Sequence, residues 1–174
     1  MEMFFLVAQR KSDYHGQYAP EVLEAFTEAD DEANPDFRAE KVAEHRQDAE
    51  FDRLTWVTAE LDGESMQKQV RTDGALAFYG PPQPEGQLGI RVLIGYRAGS
   101  YPGEHGPEAL AVMDEYGIEL NPEYLQQQAA EAQAGQEFEA LGFIDLGLDM
   151  DGIRHRLYPE AIPMEASLLS PSPA

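Results

Sequence analysis

Phe4-Phe5-Leu6-Val7-Ala8 and Val92-Leu93-Ile94-Gly95 are the two apolar segments that decide the fold of this chain. Each segment has the length of a buried strand and is followed by an arginine, Arg10 or Arg97. Both segments belong to a longer internal match. Residues 3–70 align with residues 90–157 at a constant offset of 87 without a gap, and 18 of the 68 paired positions are identical. This self-similarity predicts two copies of one module.

Each copy has the pattern of a β-α-α-β-α unit, because apolar residues alternate in some segments and recur at helical spacing in others. Pro20 and Pro107 are expected in the first turn of a helix, where proline and a following glutamate are favoured. Asn34 and Asn121 are expected to cap a second, polar helix. The predicted segments are strands 4–8, 54–61, 92–95 and 141–148, second helices at about 35–49 and 122–134, and a short third helix starting near residue 62 or 151.

The repeat also sets the expected domain organisation. Repeat 1 covers residues 1–73, a linker with a candidate strand at 74–80 covers residues 74–89, repeat 2 covers residues 90–160, and a C-terminal tail covers residues 161–174. A module of about 70 residues is marginally stable alone. We therefore expect an α/β or α+β fold in which the copies form a single domain around a pseudo-two-fold axis, sharing one sheet or packing sheet on sheet.

The second strong feature of the sequence is its acidity. Thirty-three acidic residues against 12 Lys and Arg give a net charge of −21, and the stretch between Arg97 and Arg154 contains twelve acids and no Lys or Arg. Such a surface repels nucleic acid and anionic membranes and attracts a basic protein. The same charge is also typical of a solvated surface or of adaptation to high salt.

Composition excludes several classes of site. The chain has no cysteine, so it has no disulfide and no thiolate zinc site. No apolar run reaches the ~18 residues of a membrane span, and residues 1–7 lack the basic flank of a signal peptide, which indicates a cytoplasmic protein. His15 and His105 occupy corresponding loops without metal-binding spacing. Asp145–Gly152 resembles part of a calcium loop but lacks its final glutamate, so we expect no metal and no cofactor.

Arg-x₃-Tyr-x-Gly occurs in both copies and supplies the first candidate site. The pairs are Arg10 with Tyr14 and Arg97 with Tyr101. A strand end followed by a glycine-bearing loop is a common place for a binding site, so these four residues are candidates for a paired anion pocket. The alternative is structural, with each arginine neutralising nearby glutamates.

Acids on the predicted first helices supply the second candidate site. Helical positions three, four and seven apart lie on one face, so we expect these acids to form one negative stripe that binds a basic partner. The predicted partner-binding residues are Glu21, Glu24, Glu28, Glu108, Asp114, Glu115 and Glu119.

These features favour a non-enzymatic binding or inhibitor protein that acts on a basic, nucleic-acid-binding partner. In composition the chain resembles the small, strongly acidic phage or plasmid inhibitors of restriction and CRISPR systems, and this resemblance implies a DNA mimic. The alternatives are a small enzyme or anion-binding domain that uses the arginine–tyrosine pocket, and a structural or adaptor protein. Carboxylates are too abundant for any pair to indicate acid–base catalysis, so no catalytic residue is assigned. The oligomeric state stays open.

Overall fold

The fold comes from a computed structural model that describes residues 1–11, 20–48, 50–64, 86–97 and 106–159. Within these residues the protein is mixed α+β. None of the helices there combines the length and the apolar character that a bilayer crossing requires. In chain order the elements are β1 (Glu2–Arg10), β2 (Glu21–Thr27), α1 (Glu28–Ala33), α2 (Phe37–Arg46), β3 (Phe51–Glu60), β4 (Gln87–Arg97), β5 (Glu108–Asp114), α3 (Glu115–Leu120), α4 (Tyr124–Ala134), β6 (Phe138–Asp149) and α5 (Met150–Leu157).

The strands form two antiparallel three-stranded sheets with the same strand order, β2-β1-β3 and β5-β4-β6. The central strand of each sheet is one of the two apolar segments. Each central strand has a register irregularity towards its first partner, between Leu6 and Val7 in one sheet and between Leu93 and Ile94 in the other. These positions are 87 residues apart, which is the offset of the sequence alignment.

The central strands are buried on both faces and are mostly apolar, with Gln9 and Arg91 as buried polar residues. Met3 and Phe5 of β1 and Ile90 and Val92 of β4 are fully buried in one core between the two sheets. Successive strand residues point to opposite faces. The intervening residues therefore face the helices, and Leu93 packs in a second cluster with residues of α4.

The last helix, α5, follows the second sheet but packs onto the first. Its buried residues Met150, Ile153 and Leu157 join the core between the sheets. Arg156 Nε donates to the carbonyl oxygen of Trp56 on β3 at 2.9 Å. The first sheet is therefore stabilised by contacts with the second half of the chain.

The edges formed by β2 and β5 are joined by hydrogen bonds between the halves. The backbone N–H of Val22 donates to Asp114 Oδ2 at 3.0 Å, and the backbone N–H of Ala109 donates to Asp30 Oδ2 at 3.1 Å. Asp114 is the N-cap of α3, and Asp30 completes the capping box of α1. A carboxylate at the start of each helix therefore binds the edge strand of the other half.

The predicted helices do not begin at Pro20 and Pro107. The seven residues that follow each proline form a strand. Glu21–Thr27 and Glu108–Asp114 are strands, and the helices begin only after them. Apolar spacing in such a short segment does not separate helix from strand. Pairing with a central strand gives the segment backbone hydrogen bonds along one edge, and this tertiary context outweighs the local pattern. The observed unit is β-β-α-α-β, followed in the second half by α5.

Asn34 and Asn121 end helices and do not begin them, so the predicted N-caps are also wrong. Asn34 is the C-cap of α1 and Asn121 that of α3, and their backbone N–H groups donate to Asp30 O and Gly117 O at 3.2 and 2.9 Å. The residue before a proline avoids helical geometry, which explains the break at each site. The second helices themselves are confirmed and begin three residues after each asparagine.

The structure confirms strands at all four predicted places and the third helix of the second half, which is α5. Strand β4 begins at Gln87, so the predicted linker at 74–89 extends too far. The candidate strand at 74–80, the third helix of the first half beyond residue 64 and the tail at 161–174 lie outside the described residues.

Candidate functional site

Arg10 lies between two glutamates at the end of β1. Its Nε and Nη2 both contact the carboxylate of Glu21 on β2, and its Nη1 donates to Glu50 Oε2 at 2.5 Å, just before β3. The guanidinium also lies 5.3 Å from the ring centre of Phe51. These contacts join the three strands of the sheet, and the hydrogen bond to Glu21 is the main cause of a raised Arg10 pKa.

Arg97 makes the corresponding contacts in the second sheet. Its Nε and Nη2 donate to Glu108 at 2.5 and 3.2 Å, and its Nη1 donates to Glu137 at 3.3 Å. The hydrogen bond to Glu108 is the main cause of a raised Arg97 pKa. The charges of both candidate anion-binding arginines are therefore already neutralised. Tyr14 and Tyr101 lie outside the described residues.

We expect the double variant Arg10→Gln/Arg97→Gln to lose stability. Each arginine is partly exposed and forms two ion pairs, and each exposed pair contributes about 0.2–1 kcal/mol, so each substitution should cost on the order of 1 kcal/mol. The loss should shrink in high salt, which screens exposed charges. Urea denaturation at low and high salt measures it. An unchanged unfolding midpoint would show that the networks are not structural.

The seven acids of the predicted stripe do not share a helix face. Glu21, Glu24 and Glu108 are on strands, and Glu24 Oε2 lies 2.9 Å from His45 Nε2. Asp114 is only 5% exposed, so it is not available to a partner. The stripe is thus a wrong prediction, and its physical cause is the replacement of the first half of each helix by a strand.

The remaining three acids have different surroundings. Glu28 is exposed and accepts the backbone N–H of Glu2 at 2.7 Å. Glu115 is partly buried and accepts the backbone N–H of Gly89 at 2.9 Å, so it links α3 to β4. Glu119 is exposed near the end of α3. It is the one member of the set that belongs to the larger acidic surface described next.

Glu119, Glu123 and Glu131 form what we call the acidic helical surface. All three are exposed, and they lie on α3, at the N-cap of α4 and within α4. Helix α4 buries only Leu125 and Ala129 among its own residues, so most of its circumference faces solvent. No Lys or Arg occurs between residues 98 and 153 of the chain. Sequence reasoning missed Glu123 and Glu131, although this gap in basic residues pointed to them.

The equivalent positions of the first half, Glu32, Asp36 and Glu44, are also exposed but lie among cations. Lys41 Nζ is 3.3 Å from Glu44 Oε2, which places a positive charge within that surface. The acidic helical surface of the second half therefore has fewer Lys and Arg residues near it in sequence than the corresponding surface of the first half.

A groove of about 750 Å³ lies between β2 of the first half and β5, α3 and α4 of the second. Its polar lining residues include Arg10, Glu21, Asp114 and Asn121. Leu120 on its rim is 87% exposed, and Tyr116 is 43% exposed. The principal apolar residues that line it are Val22, Leu23, Val112, Met113, Tyr116 and Leu120.

The two halves differ near this groove in the size of one helical side chain. Tyr116 corresponds to Ala29 at the offset of 87. In the first half, the chain entering β5 packs onto α1 so closely that a Cβ at Gly106 would lie 3.0 Å from the Ala29 Cβ. A tyrosine in place of Ala29 would not fit beneath this backbone. Among the described residues, Tyr116 lines the groove.

The segment Asp145–Gly152 is not a calcium loop. It comprises the end of β6 and the start of α5, and Arg91 binds Asp145 through Nε and Nη2 at 2.7 and 3.0 Å. Within the ranges that the structure describes, no three His, Asp or Glu side chains are grouped so as to hold a metal ion.

Asp30 provides a pH-dependent prediction. Burial raises its pKa, although hydrogen bonds from Thr27 and Ala109 act in the opposite direction. Because the pKa is higher in the folded state, the contribution of Asp30 to stability is largest below its unfolded pKa and falls as the pH rises through the folded pKa. The stability of wild type relative to Asp30→Asn should therefore be greater at about pH 4 than at pH 7. Urea denaturation across this range measures the difference, and a rise towards pH 7 would contradict it.

Comparison with known proteins adds no family to this geometry. No protein-family model matches the chain, and neither a curated protein nor a solved structure is significantly similar to it.

Proposed function

We propose that this chain is a non-enzymatic binding protein that recognises a basic partner through the acidic helical surface Glu119, Glu123 and Glu131. The observation that carries the proposal is that these exposed carboxylates lie on helices with no Lys or Arg between residues 98 and 153. Charge complementarity of this kind accelerates association and makes it sensitive to salt.

The surface is suited to recognition because it contributes little to the core. Leu125 and Ala129 of α4 are buried and Tyr124 and Ala132 pack partly buried against the same core cluster, whereas Glu123 and Glu131 are exposed. Like charges on one folded chain repel one another, and a basic partner relieves that repulsion. Binding is therefore favoured without any change of fold.

The sharpest form of the proposal is a DNA mimic that occupies the nucleic-acid site of a cytoplasmic protein. The net charge of −21 supports this form, because nucleic-acid-binding proteins present basic surfaces to phosphates. The anion-binding alternative has less support, since the guanidinium groups of Arg10 and Arg97 each bind two glutamates.

We also propose that the two halves are copies of one duplicated module. The identical strand orders support this origin. So do the ion-pair networks of Arg10 and Arg97, whose glutamates lie at equivalent positions. The duplication also supplies a control for the functional test, because the three acids of the acidic helical surface align with three acids of the first half.

The test is a triple charge reversal, Glu119→Lys/Glu123→Lys/Glu131→Lys. A partner is first captured from the native host at about 50 mM salt and eluted at about 500 mM salt, since screening weakens charge-driven binding. Calorimetry then measures its affinity for each variant. We expect the triple reversal to lower the affinity at least 100-fold, because three attractive charges become repulsive.

The matched control reverses Glu32, Asp36 and Glu44, which are exposed, lie at the equivalent positions of the first half and change the net charge by the same amount. A smaller loss in this control assigns binding to the second half. Equal losses would assign binding to net charge alone, and unchanged affinity in the first variant would reject the proposal. Competition by duplex DNA for the wild-type partner supports the mimic form, and its absence rejects that form.

A further inference from the structure

We propose that the groove between β2 and α3 binds an apolar segment of a protein partner, and that Lys or Arg residues flank this segment. This inference rests on the proposed function, which supplies a basic partner, and it names the chemistry of the partner's anchor. The groove has the volume of a typical binding pocket, about 750 Å³, and apolar side chains from both halves of the chain line it.

The exposure of its rim supports an apolar occupant. Leu120 is 87% exposed and Tyr116 is 43% exposed, and they are the two large apolar side chains that stand out as exposed among the described residues. Both line the same groove. Single exposed apolar residues are common on protein surfaces, but two that line one apolar groove favour an interaction site there. An occupant that covers them removes this apolar surface from water.

The charge around the groove selects a cationic segment. Glu119 and Glu123 of the acidic helical surface adjoin the lining residues Leu120 and Tyr124 in sequence and are exposed. The cation at the groove, Arg10, is bound by Glu21 and Glu50 and offers no net positive charge. An apolar anchor can therefore pack against the apolar lining of the groove, while the flanking Lys or Arg residues pair with the glutamates beside it.

The same charge disfavours two other occupants. A second copy of the chain also carries a net charge of −21, so self-association through this acidic rim is repulsive. An apolar segment flanked by acids meets the same repulsion. Electrostatic selection against wrong partners is a general device of specific interfaces.

The test uses two fluorescent 14-residue peptides with identical lysines. One is an amphipathic peptide of leucine and lysine, and in the other serine replaces every leucine. Anisotropy measures their binding to wild type, Leu120→Ser, Tyr116→Ser/Leu120→Ser and the conservative control Leu120→Met. Thermal melts verify that the variants fold, and Leu120→Ser changes a side chain that makes little contact with the core.

We expect wild type and Leu120→Met to bind the leucine peptide at least tenfold more tightly than the serine peptide, and Leu120→Ser to lose most of this preference. Equal binding of both peptides by wild type would overturn the groove proposal, as would binding of neither. A preference that survives in Leu120→Ser and in the folded double variant would also overturn it.

The triple charge reversal separates this inference from the proposed function. If the leucine preference of wild type depends on Leu120 but the reversal leaves the affinity unchanged at low salt, the groove is confirmed and the charge-based function fails. If the reversal abolishes binding of both peptides while wild type shows no preference, the function stands and the groove inference fails.

Discussion

Asp114→Ala is expected to lower the free energy of unfolding by about 2–4 kcal/mol. Asp114 Oδ1 accepts the backbone N–H of Gly117 at 2.7 Å and caps α3, and its Oδ2 accepts the backbone N–H of Val22 at 3.0 Å. Loss of the cap costs about 1 kcal/mol, and a buried N–H without an acceptor costs about 1–3 kcal/mol more. This is a large fraction of the total stability of a domain, which is about 5–15 kcal/mol.

Urea denaturation of Asp114→Ala and of two comparison variants measures the effect. Asp114→Asn keeps one oxygen acceptor, so it should lose less than the alanine variant. Glu119→Ala removes an exposed carboxylate from the same helix and should change stability by less than about 0.5 kcal/mol. If Asp114→Ala costs no more than Glu119→Ala, the contact between the halves through Asp114 is not structural.

Arg91→Met is expected to cost up to about 3 kcal/mol, because it removes one partner of a part-buried ion pair. Arg91 binds Asp145 through two nitrogens at 2.7 and 3.0 Å, and the two side chains are 9% and 25% exposed. Both residues are paired across β4 and β6. Removal of the arginine leaves the carboxylate within the protein without its cation.

The double variant Arg91→Met/Asp145→Leu should recover most of this loss, since an apolar pair replaces a largely desolvated ion pair at little cost. The first half supports this expectation. Its equivalent paired residues on β1 and β3 are Phe4 and Thr58, which form no ion pair with each other. Denaturation of the single and double variants measures the recovery. A double variant as unstable as the single one would show that the arginine acts through other contacts.

Much of the fold was predictable because the local sequence pattern and the packing of the folded chain favour the same secondary structure in most segments. The central strands are apolar runs that must be buried on both faces, and their positions at 4–8 and 92–95 were predicted correctly. The second helices are separated from what precedes them by Asn-Pro pairs, so their existence was also predictable. At β2 and β5 the local pattern allowed a helix, and only pairing with the central strands decided against it.

The candidate site was less predictable, because exposure depends on where distant elements pack. Asp114 and Glu119 are both acids in one short segment, but one is buried against β2 and the other faces solvent. The structural role of Arg10 and Arg97 was one of the two alternatives from the sequence. Their contacts with four glutamates favour it, because strand pairing places those glutamates beside the arginines.

The sequence by itself determined the internal match, the apolar central strands and the net charge of −21, because these follow from residue types and their spacing. Tertiary structure decided which acids face solvent. It also formed the groove, since β2 and α3 come from opposite halves and meet only in the folded chain. The physical reason is that hydrogen bonding and burial at the β2–β5 edge join residues about 90 positions apart, such as Val22 and Asp114, and no local pattern encodes such contacts.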